Sequence, residues 1–224
     1  MTVTSPILSP AIRPAGQARR TVGVIRIAAG LLVLAAMITQ IADQAINDVF
    51  IASEYFSYFT IQSSMMNIVV LVSGGILALR FRRDTELYTG VRSAITVFAV
   101  VTGVVYNVLL RGIPPEGYVG VQWPTEVEHV WIPVYILIDW LFATGRARIG
   151  YRWLWLAVGF PIAWCIFTLI RGAATGWYPY PFIDPATGGW GSVIAYIVGL
   201  AAFIVGLAAL AIAYARRAWL QPDE

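Results

Sequence analysis

Glu54-Tyr55-Phe56-Ser57-Tyr58-Phe59-Thr60-Ile61-Gln62-Ser63-Ser64-Met65-Met66-Asn67 runs without interruption into the apolar stretch Ile68 to Leu79. At about 100° per helical residue, Ser57, Thr60, Ser64 and Asn67 fall on one face, so a hydrophobic helix carries a polar stripe. Such a stripe has to meet other polar groups, and the unusual residues elsewhere in the chain read as its partners.

Of the 224 residues 59% are hydrophobic and only 12% charged, with a mean hydropathy of +0.74. That balance excludes a soluble domain and predicts an all-α, polytopic membrane protein. A hydrocarbon core of roughly 30 Å takes about 20 apolar residues per helix. Six stretches qualify: Val22 to Ala42, Tyr55 to Leu79, Val91 to Leu110, His129 to Thr144, Trp153 to Ile170 and Val193 to Tyr214. The expected architecture is a disordered leader over 1–20, a six-helix transmembrane bundle over 21–217 and a tail over 218–224. The first span is too long for a cleaved signal sequence.

All fifteen basic residues are Arg. Arg13, Arg19, Arg20, Arg26, Arg80, Arg82, Arg83, Arg92, Arg146, Arg148, Arg152, Arg216 and Arg217 fall on one side of that topology, Arg111 and Arg171 on the other. The asymmetry predicts cytoplasmic N and C termini in a cell membrane. The net charge of +3 is then a topology signal and implies no nucleic-acid partner. With one cysteine, Cys165, and one histidine, His129, no internal disulfide or Cys/His metal cluster can form, so no metal or other cofactor is expected.

Along the chain, Gln40 sits in an otherwise plain packing helix, and Asp43, Asp48 and Glu54 read as solvated loop acids. Gly74-Gly75 allows close helix approach or a kink. Two spans finish in an Arg-Gly pair, Arg111-Gly112 and Arg171-Gly172, a hint of internal repetition. Each Arg either complements a helix C-terminus or holds an anion. His129, Pro133, Ile136 and Trp140 share a face, and Pro133 frees a carbonyl one turn back, near His129. Asp139 is either a functional intramembrane acid or the partner of Arg146 and Arg148 in a structural ion pair or cap. Trp177-Tyr178-Pro179-Tyr180-Pro181-Phe182 is a rigid run that either folds over the bundle as a lid or lies in the interface as an aromatic belt; Tyr178 and Tyr180 join the candidate binding residues.

The chemistry-bearing pair is Thr60 and His129, placed near one leaflet by the topology. A hydroxyl becomes a nucleophile when an imidazole takes its proton. Glu128 or Glu126 can orient the ring, Ser64 and Asn67 can donate to an oxyanion, and Arg111 or Arg171 can hold an anionic substrate end. The competing reading has Thr60 bonding back to the carbonyl of Phe56 and His129 meeting headgroups.

Tyr58-Phe59-Thr60-Ile61-Gln62-Ser63, Glu128-His129 followed by Val134 to Leu141 with Asp139-Trp140, and Arg171-Gly172 with Trp177 to Phe182 resemble the prokaryotic six-helix membrane family called Pr-six-Pr. That family is similar to the animal androgen-induced, FAR-type integral membrane proteins, and the resemblance covers about residues 22 to 215. It implies a membrane threonine hydrolase cleaving fatty acid esters of hydroxy fatty acids, with Thr60 and His129 as its catalytic pair and a membrane lipid or amphiphilic small molecule as its partner. This sequence has Glu128 where the animal proteins tend to have Asn, and Gln62-Ser63 where they have apolar residues. The alternative is a non-enzymatic sensor, carrier or amphiphile-binding module.

Overall fold

A computed structural model of the protein describes residues 15–114 and 117–217. Most of the expected leader and the whole tail from 218 therefore lie outside the described residues. Every regular element among the described residues is helical: α1 Gln17–Ile46, α2 Ala52–Tyr55, α3 Phe59–Arg80, α4 Glu86–Val105, α5 Trp123–Glu126, α6 Ile132–Phe142, α7 Leu154–Thr175 and α8 Pro185–Arg216. Two π-helical turns, Tyr106–Leu110 and Val127–Trp131, extend α4 and join α5 to α6.

Among the described residues five helical stretches are long and apolar enough to cross a membrane: Gln17–Ile46, Phe59–Arg80, Glu86–Leu110, Tyr151–Thr175 and Pro185–Arg216. The remaining expected span, His129 to Thr144, is instead a composite run of α5, a π turn and α6 that begins at Trp123. Several boundaries also move. The first helix starts at Gln17, inside the expected leader, and the expected span from Tyr55 splits into α2 and α3 at an extended Tyr58. That break puts Thr60 in the first turn of α3 instead of deep in a helix.

Helices α1 and α3 pack backbone to backbone. A Cβ on Gly75 would lie 2.7 Å from the carbonyl oxygen of Gly23, and one on Gly23 would lie 2.8 Å from that of Gly75. Close approach is thus the use of the Gly74-Gly75 pair, while α3 stays unbroken through it. Helix α7 runs past the expected stop at Arg171-Gly172 to a left-handed Gly176, whose N–H bonds Gly172 O at 2.8 Å. Gly172 serves another purpose, since the Tyr178 ring occupies the space where its Cβ would be. The loop after α7 consequently folds inward: Pro179, Tyr180 and Ile183 are buried. Gly112 has open space at the same position, so the two Arg-Gly pairs are not structurally equivalent.

At the opposite end of the bundle from Thr60, α1, α4 and α6 meet in a buried ion cluster. Asp139 takes Arg26 Nε on both carboxylate oxygens, at 3.0 and 3.1 Å, and also pairs with Arg92. Arg92 and Arg19 share Asp84. The expected partners of Asp139 were Arg146 and Arg148; Arg146 instead lies over the rings of Trp140 and Tyr214, and Arg148 is exposed. Arg26 and Arg92 take the role because both lie within the expected spans, near the ends of α1 and α4, and their guanidiniums are buried inside the bundle beside the Asp139 carboxylate.

Candidate functional site

Tyr58, with φ −65° and ψ 133°, leaves the chain extended just before α3, and Phe59 and Thr60 form the helix's first turn. First-turn N–H groups lack intrahelical partners, and the helix dipole is positive there, so negative charge developing at Thr60 is favoured. Thr60 is 7% exposed, and its hydroxyl lies 3.2 Å from His129 Nε2. The other ring nitrogen, Nδ1, lies 2.8 Å from Thr125 O. A carbonyl can only accept, so Nδ1 carries the proton and Nε2 is left as the acceptor for the Thr60 hydroxyl. The tautomer required of a general base therefore follows from one backbone contact.

His129 occupies the middle of the Val127–Trp131 π turn, a local widening that often marks functional sites. Tyr106, opening the other π turn, lies against the imidazole at 4.1 Å between ring centroids. Pro133 cannot donate to the carbonyl of His129, and Asn107 Nδ2 donates to it at 3.1 Å instead. The freed carbonyl expected near His129 is there, and a side chain of the neighbouring π turn satisfies it. Gly103 allows the approach, because a Cβ there would come within 2.9 Å of Pro133 Cβ.

Thr60 and Tyr180 form the polar end of a cavity of about 390 Å³ between α4, α7 and α8, whose walls are apolar side chains such as Val101, Leu169 and Ile204. Ile162 and Ile166 of α7 line it too, and both are about half exposed (52% and 54%), so the cavity reaches the flank of the bundle. Tyr180 accepts a hydrogen bond from the Thr60 N–H at 3.3 Å and lies 3.4 Å from the Thr60 hydroxyl. Burial pushes its phenol up to about 12.

The remaining candidate residues disperse. Ser64 faces the buried carboxylate of Glu128, which also accepts from Gln40 Nε2 at 3.0 Å. Asn67 lines a separate small void with Arg92, Thr96 and Asp139. Ser57 lies in the turn before α3, where its carbonyl accepts from Trp164 Nε1 at 2.9 Å. The polar stripe is real and buried, yet only Thr60 of its members reaches the cavity. Neither glutamate orients the histidine: Glu126 pairs with Arg111, and Glu128 turns toward α1. Glu126 hydrogen-bonds the Arg111 guanidinium and raises its already high pKa.

Arg171 stacks over Trp177, its guanidinium carbon 4.4 Å from the ring centroid, and its buried Nη1 has no hydrogen-bond partner among the described residues. Tyr178 packs on Gly172. Sequence reasoning missed Gln40, which joins Tyr55 to Glu128, and Tyr106 and Asn107, which hold His129. Each was a polar or aromatic residue within an apolar span, and that was the available signal. Among the described residues no group of three or more His, Cys, Asp or Glu side chains is arranged to hold a metal ion. Neither a family model, a curated protein nor a solved structure matches the chain.

Proposed function

We propose that the protein is an integral membrane ester hydrolase acting on a long-chain acyl ester, with Thr60 as nucleophile and His129 as general base and then general acid. The observation that carries this is the 3.2 Å contact from the Thr60 hydroxyl to an imidazole whose other nitrogen is held by Thr125 O. Nucleophile, base and orienting group in that order are what acyl transfer needs. The adjacent cavity supports the substrate class: apolar walls accept an alkyl chain, at about 0.8 kcal/mol for each CH₂ buried, and its reach to the flank of α7 offers entry from surrounding acyl chains. Arg171 is the better placed guanidinium for an anionic substrate end, since Arg111 is engaged by Glu126. The resemblance to the Pr-six-Pr and FAR-type proteins points the same way.

In this reading the composite run from Trp123 to Phe142 completes six spans in a cell membrane, with both termini cytoplasmic. The cluster of Arg19, Arg26, Arg92 and Arg146 at one end of the bundle supports that orientation. Single cysteines placed by Arg148→Cys and Val119→Cys in a Cys165→Ser background then react with an impermeant maleimide from the cytoplasmic and outer side respectively; the reverse pattern overturns the orientation.

The test of function is hydrolysis of a panel of fluorogenic long-chain acyl esters by the purified protein, beside Thr60→Ala and His129→Ala. Loss of activity in both variants, with unchanged thermal unfolding, is the expected result. Activity indifferent to both, or absent from the unaltered protein, leaves an amphiphile-binding module, for which the cavity suffices and the Thr–His contact has no use.

A further inference from the structure

Acyl transfer from an ester places a full negative charge on the carbonyl oxygen, and a site that holds only a nucleophile and a base leaves that charge unanswered. Ser64 and Asn67 do not line the cavity that contains the Thr60 hydroxyl. Tyr180 does, and its hydroxyl is 3.4 Å from the attacking oxygen. The division of protons around it is informative. The Thr60 N–H donates to the Tyr180 oxygen, and the Thr60 hydroxyl proton goes to His129 Nε2. The phenol proton is therefore left for an acceptor on the Thr60 side, which in the resting site is Thr60 Oγ1 itself. An ester carbon within bonding approach of that oxygen brings its carbonyl oxygen beside the same phenol.

The phenol is also held in place. Phe182 stacks on the Tyr180 ring at 5.2 Å and 5°, Tyr58 meets it edge-on at 5.6 Å, and Trp164 lies 6.0 Å away. Two residues upstream, Tyr178 is seated over Gly172. A donor positioned before the reaction needs no reorganisation when charge develops, and this is the source of oxyanion stabilisation. Burial pushes the phenol up to about 12, so it keeps its proton throughout the working range of a histidine base.

We propose that Tyr180 is a catalytic residue of the hydrolysis inferred above: its hydroxyl donates a hydrogen bond to the ester carbonyl oxygen and stabilises the oxyanion that forms when Thr60 attacks. The step rests on the hydrolase reading. Thr60 Oγ1 bonds to the acyl carbon, its proton passes to His129 Nε2, and the carbonyl π pair moves onto the oxygen facing Tyr180. Collapse re-forms the carbonyl and breaks the bond to the alcohol, which leaves with the proton from His129. Water then attacks the acyl-threonine by the same sequence, releasing the acid and restoring Thr60. Tyr180 carries the oxyanion both times and never gives up its proton.

The test is Tyr180→Phe in the full-length purified protein, which keeps the ring and removes the donor. Three readouts are taken beside the unaltered protein and Thr60→Ala: hydrolysis of a fluorogenic long-chain acyl ester, labelling of Thr60 by a long-chain alkyl fluorophosphonate, and displacement of a fluorescent fatty acid from the cavity. The expected result is a fall in kcat of about 10²–10³-fold, with KM changed by less than about threefold. Labelling slows in parallel, and fatty-acid binding is retained. A kcat within about twofold of the unaltered protein, while Thr60→Ala is inert, overturns the oxyanion role and leaves the hydrolase standing. Loss of fatty-acid binding together with activity overturns it too, because the tyrosine is then structural. Full activity in Thr60→Ala removes the hydrolase reading itself, and the role of Tyr180 with it.

Discussion

Thr60 owes its chemistry to its place in the chain. As the second residue of α3 it sits where backbone N–H groups are unpaired by the helix, and Tyr180 and His129 take up its N–H and hydroxyl. A threonine deeper in α3 would have its own i−4 carbonyl as the default partner. The same contacts set a pH dependence. His129 accepts the Thr60 proton only as the neutral ring, so kcat/KM rises with pH as the imidazole loses its proton and is abolished on the acid side. Tyr180, pushed up to about 12, contributes no descending limb below that range. For the proposed hydrolysis, a pH–rate profile from about pH 5 to 10 should therefore show no descending limb on the alkaline side. A bell whose alkaline limb vanishes in Tyr180→Phe would contradict the assignment of that phenol as a neutral donor.

At the scale of elements, glycines set which helices touch. Gly23 and Gly75 bring α1 and α3 into backbone contact, and Gly172 lets the aromatic–proline loop lie on α7. Gly75→Ala places a methyl 2.7 Å from the Gly23 carbonyl, against backbone that cannot turn aside. It should destabilise the bundle by about 1–3 kcal/mol. Thermal unfolding in detergent reads this directly, and an unchanged midpoint would show that α1 and α3 can separate without cost. The π turns are the other device at this scale. One extra residue per turn at Val127–Trp131 and at Tyr106–Leu110 brings the His129 and Tyr106 rings into tilted contact, and Asn107 bridges the two segments through the carbonyl that Pro133 leaves free.

Across the whole molecule the two ends differ in kind. The Thr60 end holds a small set of neutral polar groups around an apolar cavity; the other end holds four buried arginines against two buried aspartates. Arg26, 0% exposed, depends on Asp139 for its charge balance. Removing one partner of a buried pair costs about 3–5 kcal/mol, because the other charge stays desolvated. Asp139→Asn should accordingly lower the thermal midpoint strongly, and Arg26→Met combined with Asp139→Leu should recover part of the loss. Equal stability of Asp139→Asn and the unaltered protein would show that water reaches the cluster. Hydrolysis by any folded Asp139 variant is expected to persist, since the cluster and the Thr60 site occupy opposite ends of the bundle.

Composition and hydropathy alone determined that the chain is helical and rich in segments long and apolar enough to cross a membrane, because burying apolar surface in 20-residue units leaves few other options. The spacing of Ser57, Thr60, Ser64 and Asn67 determined that a polar face exists on α3, and Pro133 that a carbonyl near His129 would be free. Which polar group meets which partner was decided by tertiary structure. A break at Tyr58 moved Thr60 to a helix start, the packing of the bundle brought Arg26 and Arg92 to Asp139, and a π turn set the register of His129. A shift of one residue turns a helical side chain by about 100°, and periodicity read from sequence does not locate helix ends or π turns to that precision. Thr60 and His129 were legible as a pair in the sequence; their 3.2 Å contact, and the Tyr180 hydroxyl set beside it, came from the fold.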